Sequence, residues 1–156
     1  MNAAPEPAES ITIFTIGFGQ KSAREFFGIL KAAGVKRVVD VRLSNVSQLA
    51  GFTKKDDLSY FLSQINAIAY EHRAELAPTK ELLDAYRAGK RSWPEHEARL
   101  RALFAEREVE NLLVRANMNG ACFLCSEPEP DHCHRIVAAE YLRERWGNVE
   151  IRHLPD

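Results

Sequence analysis

The sequence has no long apolar run, no excess of one charge and no even set of cysteines. No apolar stretch approaches the ~20 residues that a bilayer span requires, so we predict no membrane segment. The 21 lysines and arginines nearly balance the 22 aspartates and glutamates, a net charge of −1, and bulk charge therefore excludes strong non-specific attraction to DNA or an anionic membrane. Three cysteines do not form a paired disulfide framework, and we expect reduced thiols and a cytoplasmic location.

What is present indicates an ordinary globular protein. A hydrophobic fraction of 46% and a charged fraction of 28% exclude disorder, coiled coil and collagen-like repeats as the main architecture. A chain of 156 residues matches the usual size of one domain, and we predict a single α/β domain over residues 11–156. Residues 1–10 contain two prolines and lack the apolar core of a signal peptide, so we expect a flexible lead.

Strand-like and helical segments alternate along the chain. Apolar, β-branched segments at 11–16, 35–41, 68–72, 121–126 and 149–154 predict five strands, with helical patterns between them. This alternation predicts a three-layer α/β/α domain with a mainly parallel sheet and helices on both faces. We expect the strand order 3-2-1-4-5, with the functional loops at the carboxyl ends of the first and fourth strands.

The densest cluster of reactive side chains lies between the fourth strand and the last helix, and it includes Cys125, Glu127, Cys133, His134 and Arg135. A thiol at a helix N-terminus has its thiolate stabilised by free backbone N–H groups and by nearby cations. Three acidic residues in the same segment act in the opposite direction on the thiol pKa, so the direction of the shift stays open. An equally good alternative makes Cys133 a small packing residue.

Cys122 and Cys125 form a CxxC pattern, but on a strand this odd spacing directs the two side chains to opposite faces of the sheet. We therefore expect Cys122 in the core. A reversible disulfide between Cys125 and Cys133, or zinc bound by these cysteines and nearby histidines, remains a weaker alternative, because the spacing matches no standard zinc site. We predict no bound metal.

Polar residues also end the earlier strands. Asp40 and Arg42 flank one residue at the end of the second strand, so they share a face and either pair with each other or contact a ligand. His72 ends the third strand with the same two interpretations. Gly17, followed by a second glycine two residues later, lacks the third glycine of a dinucleotide-binding loop and indicates no particular cofactor.

These segments resemble the bacterial and archaeal proteins of domain-of-unknown-function family 488. The matching residues are Thr15, Ile16 and Gly17, then Val39 to Arg42, and finally Cys125, Glu127, Pro130, Cys133, His134 and Arg135. The chain departs from the family pattern at Phe18 and Gly19, where many members have histidine and serine, and at Leu76, Ala77 and Pro78, where members have a leucine followed by glycines. The resemblance implies a three-layer α/β domain with a shared pocket around these motifs, but no agreed activity.

Two hypotheses of function follow. In the first, the protein is a thiol-dependent enzyme on a small anionic, phosphate- or nucleotide-like substrate, with Cys133 as nucleophile and His134 or His72 as proton-transfer partner. Arg42 and Arg135 would then hold the anion. In the second, a non-catalytic module binds a nucleotide or nucleic acid through its arginines and the Lys54–Lys55 pair. Under either hypothesis, the residues expected to converge at the carboxyl edge of the sheet are Gly17, Asp40, Arg42, Cys125, Glu127, Cys133, His134 and Arg135.

Overall fold

A computed structural model describes residues 9–44, 51–126 and 132–156 of the chain. Its single sheet consists of five parallel strands: β1 (Ile11–Gly17), β2 (Arg37–Asp40), β3 (Ala69–His72), β4 (Ala121–Cys125) and β5 (Val149–Leu154). Most of the predicted N-terminal lead lies outside the described residues. Within them, no helix combines the length and the apolar character needed to cross a membrane.

The helices are α1 (Ala23–Ala33), α2 (Lys55–Phe61), α3 (Lys80–Arg87), α4 (Trp93–Arg107), α5 (Val109–Leu112) and α6 (His134–Trp146). Shorter helical turns occupy Gly51–Thr53, Leu62–Asn66, Ala74–Leu76 and Arg115–Met118. Local sequence explains the ends of α1: the Ser22 hydroxyl accepts a hydrogen bond from the Glu25 amide at 3.1 Å, and Gly34 adopts a left-handed φ of 73° after the last turn.

The observed strand order is β3-β2-β4-β1-β5, so the expected order 3-2-1-4-5 is wrong in the positions of β1 and β4. The first and fourth strands are neighbours, as expected, but β4 lies between β1 and β2 and pairs with both. All five residues of β4 are buried, which suits the central position, whereas β3 and β5 are partly exposed and form the edges.

Helices cover both faces of the sheet, which confirms the three-layer α/β architecture. On one face α1, α2 and the helical turn after α2 bury Phe26, Leu30, Leu58 and Leu62. On the other, α4 and α6 bury a second apolar cluster that includes Leu100, Phe104, Val137 and Leu142. Cys122 belongs to the first cluster and Cys125 to the second, so the prediction that these cysteines face opposite sides of the sheet is confirmed.

Candidate functional site

The carboxyl ends of β2, β4 and β1 lie side by side. Asp40 on β2 is opposite Leu124, and Gly17 on β1 is opposite Cys125. The pairing of β1 with β4 continues one step further, because the Phe18 amide donates to the Cys125 carbonyl at 3.1 Å. Since α6 begins shortly after β4, three strand ends and one helix start form the frame of the candidate site.

A buried ion pair occupies the β2 side of this frame. Asp40 is fully buried and Arg42 is 5% exposed, and the Arg42 guanidinium donates to the two carboxylate oxygens at 2.8 and 2.7 Å. The Tyr70 hydroxyl donates to Asp40 Oδ2 at 2.6 Å, and Arg42 also donates to the Thr53 carbonyl at 2.6 Å. Burial alone would lower the pKa of Arg42, but the hydrogen bond and charge of Asp40 outweigh it and raise that pKa. Of the two interpretations of Asp40 and Arg42, the direct ion pair is present.

Two histidines hold the chain that follows β2. Nε2 of His72 lies 2.7 Å from the Arg42 carbonyl, and Nε2 of His134 lies 2.7 Å from the Val41 carbonyl. A carbonyl oxygen only accepts hydrogen bonds, so Nε2 carries the proton in both rings. Burial lowers the pKa of His134 to about 4, and the ring is therefore neutral at physiological pH, with Nδ1 as an acceptor.

The β4 side contains a second buried arginine, which contacts sulfur. Arg135 is fully buried, and its Nη1 lies 2.9 Å from Sγ of Cys125 and 3.6 Å from Sγ of Cys133. Both cysteines are 1% exposed. The hydrogen bond from Cys133 to Cys125 and, next, burial raise the pKa of Cys133, while the charge of Arg135 opposes that rise. We call Cys125, Cys133 and Arg135 the thiol centre.

A cleft of about 500 Å³ opens above these two groups. Among the predicted site residues, Arg42, Cys133 and His134 line it. Asp40 and Arg135 lie behind them and contact Arg42 and Cys133, respectively. The volume is in the range of small-molecule sites, roughly 300 to 1,000 Å³. Glu127, the remaining acidic residue of the prediction, lies outside the described residues.

One wall of the cleft is aromatic, a feature that the sequence patterns did not predict. Tyr86 stacks on His96 with ring centroids 4.5 Å apart, Trp93 stacks on His132 at 5.0 Å, and Tyr86 meets Trp93 edge-on at 5.6 Å. All four rings line the cleft, and we call them the aromatic wall. The available signal was the i, i+3 spacing of Trp93 and His96 on α4, which puts both rings on one side of the helix.

Much of the positive charge around the site already has a carboxylate partner. Lys80 at the cleft pairs with Asp84 at 2.6 Å, and Arg73, beyond the end of β3, pairs with Glu71 at 2.9 Å. Arg87 lines the cleft and has no ion pair within the described residues. Its charge is therefore available to attract an anionic group in the cleft.

His96 is a buried polar group of the cleft that the sequence patterns did not predict. It is 2% exposed, and burial and then the charge of Arg91 lower its pKa. Nδ1 of His96 is buried without a hydrogen-bond partner in the part of the chain that the structure describes. An unsatisfied buried nitrogen costs about 1–3 kcal/mol, so such groups concentrate where a ligand or a reaction uses them.

The cysteines and histidines do not assemble a metal site within the described ranges. No group of three or more histidine, cysteine, aspartate or glutamate side chains is arranged there to hold an ion. Zinc prefers three or four such ligands in tetrahedral geometry, whereas the sulfurs of Cys125 and Cys133 have an arginine between them.

The model of a protein family, the domain of unknown function DUF488, matches residues 22–142. The chain belongs to this DUF488 family. The matched residues include the Asp40–Arg42 pair, the aromatic wall and the thiol centre, but not Gly17. No curated protein matches the chain, and no solved structure does. The family's description states no activity. The chemistry must therefore be inferred from the geometry of the site.

Proposed function

We propose that this DUF488 protein is a thiol-dependent enzyme that acts on a small anionic substrate bound in the cleft. One observation carries the proposal: the guanidinium of Arg135 lies within 2.9 and 3.6 Å of the two sulfurs of the thiol centre, and Cys133 lines the cleft. A guanidinium stays protonated even when it is buried, so its charge favours a negative charge on the sulfurs beside it.

The two sulfurs have different roles in this proposal. Cys125 is closer to Arg135 and holds the negative charge of the pair, while Cys133 donates its S–H to Cys125. Because the groups are coupled, the first proton lost belongs to the pair rather than to one sulfur. Cys133 is then the nucleophile, and Cys125 is the base that activates it.

The proposed first step balances with these two residues alone. The S–H bond of Cys133 breaks, its proton passes to the Cys125 thiolate, and the Cys133 sulfur bonds to an electrophilic carbon of the substrate. The bond between that carbon and the leaving group breaks, and the leaving group takes the same proton from the Cys125 thiol, which returns to the thiolate. His134, with a pKa near 4, is a weak base, and its hydrogen bond to the Val41 carbonyl suits it to positioning the start of α6.

The geometry changes which arginine we expect to bind the anionic group of the substrate. Arg42 already pairs with Asp40 and Arg135 contacts the sulfurs, so in our proposal Arg87 attracts the negative group of the substrate. Gly17 and Asp40 contribute to the frame rather than touching the substrate, and His72 positions Arg42 through its carbonyl. Glu127 keeps its predicted role near the substrate as an expectation.

The alternative, a non-catalytic nucleotide or nucleic-acid module, has weaker support. Its phosphate contacts would come from Arg42, Arg73, Arg135 and the Lys54–Lys55 pair, yet Arg42 and Arg73 have carboxylate partners and Arg135 is fully buried. Backbone phosphates bind clustered, uncompensated cations. The aromatic wall is the one feature that favours this alternative, since planar bases stack on such rings.

Thiolate absorbance near 240 nm tests the enzyme proposal without a known substrate. In a Cys122→Ala variant, which leaves only the thiol centre, we expect about one thiolate per chain near neutral pH, lost on acidification. Absence of thiolate until the pH exceeds the free-cysteine value of about 8.5 would contradict the proposal. Arg135→Lys, which keeps the charge, should retain more of the absorbance than Arg135→Met, and circular dichroism verifies that each variant is folded.

Alkylation mapped by mass spectrometry gives a second measurement on the same protein. A small alkylating reagent should modify Cys133 first in the folded wild-type chain, because Cys133 lines the cleft whereas Cys122 is in the core on the opposite face of the sheet. Modification of Cys122 before Cys133 would show that the cleft does not give access to the thiol centre.

A further inference from the structure

We propose that the cleft binds a planar aromatic ring that carries a single acidic group, with the ring on the aromatic wall and the acid at Arg87. This inference deepens the proposed function, because it names the substrate class of the same cleft. It rests on that cleft being the substrate site. The thiol chemistry and the ring recognition nevertheless use different residues and can fail independently.

The shape of the wall is the first argument. Trp93 and His132 stack with an angle of 23° between their planes, and Tyr86 and His96 stack with an angle of 12°. A stacked pair can take a further planar partner on the outer face of an accessible ring, and Tyr86, Trp93 and His132 are half-buried or exposed. Phe18, Leu43, Pro78 and Leu83 add apolar surface to the lining, so a ring is favoured over a polar chain.

Charge compensation is the second argument, and it limits the ligand to a small negative charge. Arg42 and Lys80 line the cleft, but Asp40 and Asp84 already compensate them. Arg87 is then the lining arginine whose charge no described carboxylate compensates. Its charge also contributes to lowering the pKa of His134, the first residue of α6. One uncompensated cation suits one acidic group and disfavours di- and triphosphates.

The buried imidazole of His96 is the third argument, and it points independently to a ligand. Its Nδ1 has no partner among the described residues, although the ring is 2% exposed and lines the cleft. A ring with a polar atom at its edge would offer the missing hydrogen bond, whereas a pure hydrocarbon would not. The three observations together describe a heteroaromatic or substituted aromatic acid.

Trp93 itself supplies the readout. The chain has two tryptophans, so Trp146→Phe leaves Trp93 as the only tryptophan, within the wall. Four probes separate the contributions: benzoate, the non-planar cyclohexanecarboxylate of equal charge, neutral benzyl alcohol and inorganic phosphate. We expect benzoate to quench the fluorescence of Trp93 in a saturable way. Cyclohexanecarboxylate and phosphate should each bind at least about tenfold more weakly than benzoate. Equal affinity for planar and non-planar acids, or no binding of benzoate, would overturn the inference.

Two variants assign the contacts by calorimetry. Arg87→Gln should weaken benzoate binding about fivefold or more and leave benzyl alcohol unchanged, whereas Arg99→Gln, an exposed arginine of α4, should change neither. Trp93→Leu should weaken both aromatic probes about tenfold. If adenosine triphosphate binds more tightly than adenosine monophosphate, the single-charge argument is wrong.

The same titration in Cys133→Ser distinguishes the two proposals. Retained benzoate binding together with a missing thiolate in the Cys122→Ala protein would support ring recognition and reject thiol catalysis. A normal thiolate signal together with no benzoate binding would support thiol catalysis and reject ring recognition.

Discussion

Two arginines are buried at the same edge of the sheet, and they differ in the group that compensates them. Arg42 donates to both carboxylate oxygens of Asp40. Arg135 contacts the sulfurs of Cys125 and Cys133, whose charge depends on a proton. A buried arginine is therefore compensated by a carboxylate on one side and contacts two cysteine sulfurs on the other, where our proposal puts the reactive centre.

The difference shows which side of the site is structural. Asp40 also accepts a hydrogen bond from the Tyr70 hydroxyl, and Arg42 donates one to the Thr53 carbonyl. The ion pair therefore connects β2, β3 and the turn before α2. The thiol centre joins the end of β4 to the start of α6, and its member Cys133 lines the cleft. Variants on the two sides should therefore affect different properties: stability on the first and thiol chemistry on the second.

The largest effect is expected from breaking the carboxylate pair. Asp40→Asn leaves the buried Arg42 charge without its anion, and we expect a loss of about 3–5 kcal/mol in the free energy of unfolding, measured by urea denaturation. Glu97→Gln is the matched control, because Glu97 pairs with Arg101 at 3.4 Å on the surface of α4. That substitution should cost less than about 1 kcal/mol. Equal effects of the two substitutions would mean that burial does not distinguish the Asp40–Arg42 pair.

A smaller effect is expected from protonating the histidine that links the two sides. Burial lowers the pKa of His134 from 6.5 to about 4, so the fold favours the neutral ring. This contribution is fully present above about pH 6.5 and is lost as the pH falls toward 4, because the unfolded chain binds the proton more readily. The shift corresponds to at most about 3 kcal/mol.

His134→Gln isolates that contribution. A glutamine amide can still donate to the Val41 carbonyl, as Nε2 of His134 does, but it does not titrate. His96 and His153 also have lowered pKa values and contribute over the same range in both proteins. The stability of the wild type should therefore fall more steeply between pH 6.5 and 4 than that of the variant. Parallel pH profiles from urea denaturation would contradict the assignment.

Sequence patterns predicted the parts of the site that local geometry determines. Asp40 and Arg42 share a face because they are two residues apart on an extended chain, and Cys122 and Cys125 face opposite sides because they are three apart. Neither inference needs the rest of the fold. The alternation of strand-like and helical segments also predicted the α/β architecture, which the structure confirms.

The parts that sequence patterns missed depend on distant partners. The order of parallel strands depends on how the strand–helix–strand units pack against each other. Hydrophobic periodicity therefore did not reveal that β4 lies between β1 and β2. The aromatic wall combines Tyr86 from α3, Trp93 and His96 from α4, and His132 from the segment before α6. No local spacing connects these three segments, and only the tertiary fold brings the rings together.

The smallest effect, and the most specific to the sulfur side, is expected from Cys125→Ala. The hydrogen bond and the negative charge of Cys125 both raise the pKa of Cys133, and the charge of Arg135 lowers it. Without Cys125, the Arg135 charge acts on Cys133 alone, and the pKa of Cys133 should fall. Alkylation of Cys133 near neutral pH, by a reagent whose halide leaves without a proton and so makes no use of the base role of Cys125, should then accelerate about tenfold when measured by mass spectrometry.

Cys122→Ala is the control for this prediction, because Cys122 lies in the apolar cluster on the opposite face of the sheet and should leave the alkylation rate unchanged. A slower reaction in Cys125→Ala would mean that Cys125 promotes ionisation of Cys133 in the resting protein. The asymmetry between the two arginines would then have to be assigned differently, with Cys133 rather than Cys125 as the resting anion beside Arg135. Because Arg42 and Asp40 do not depend on either sulfur, their ion pair should persist in both variants.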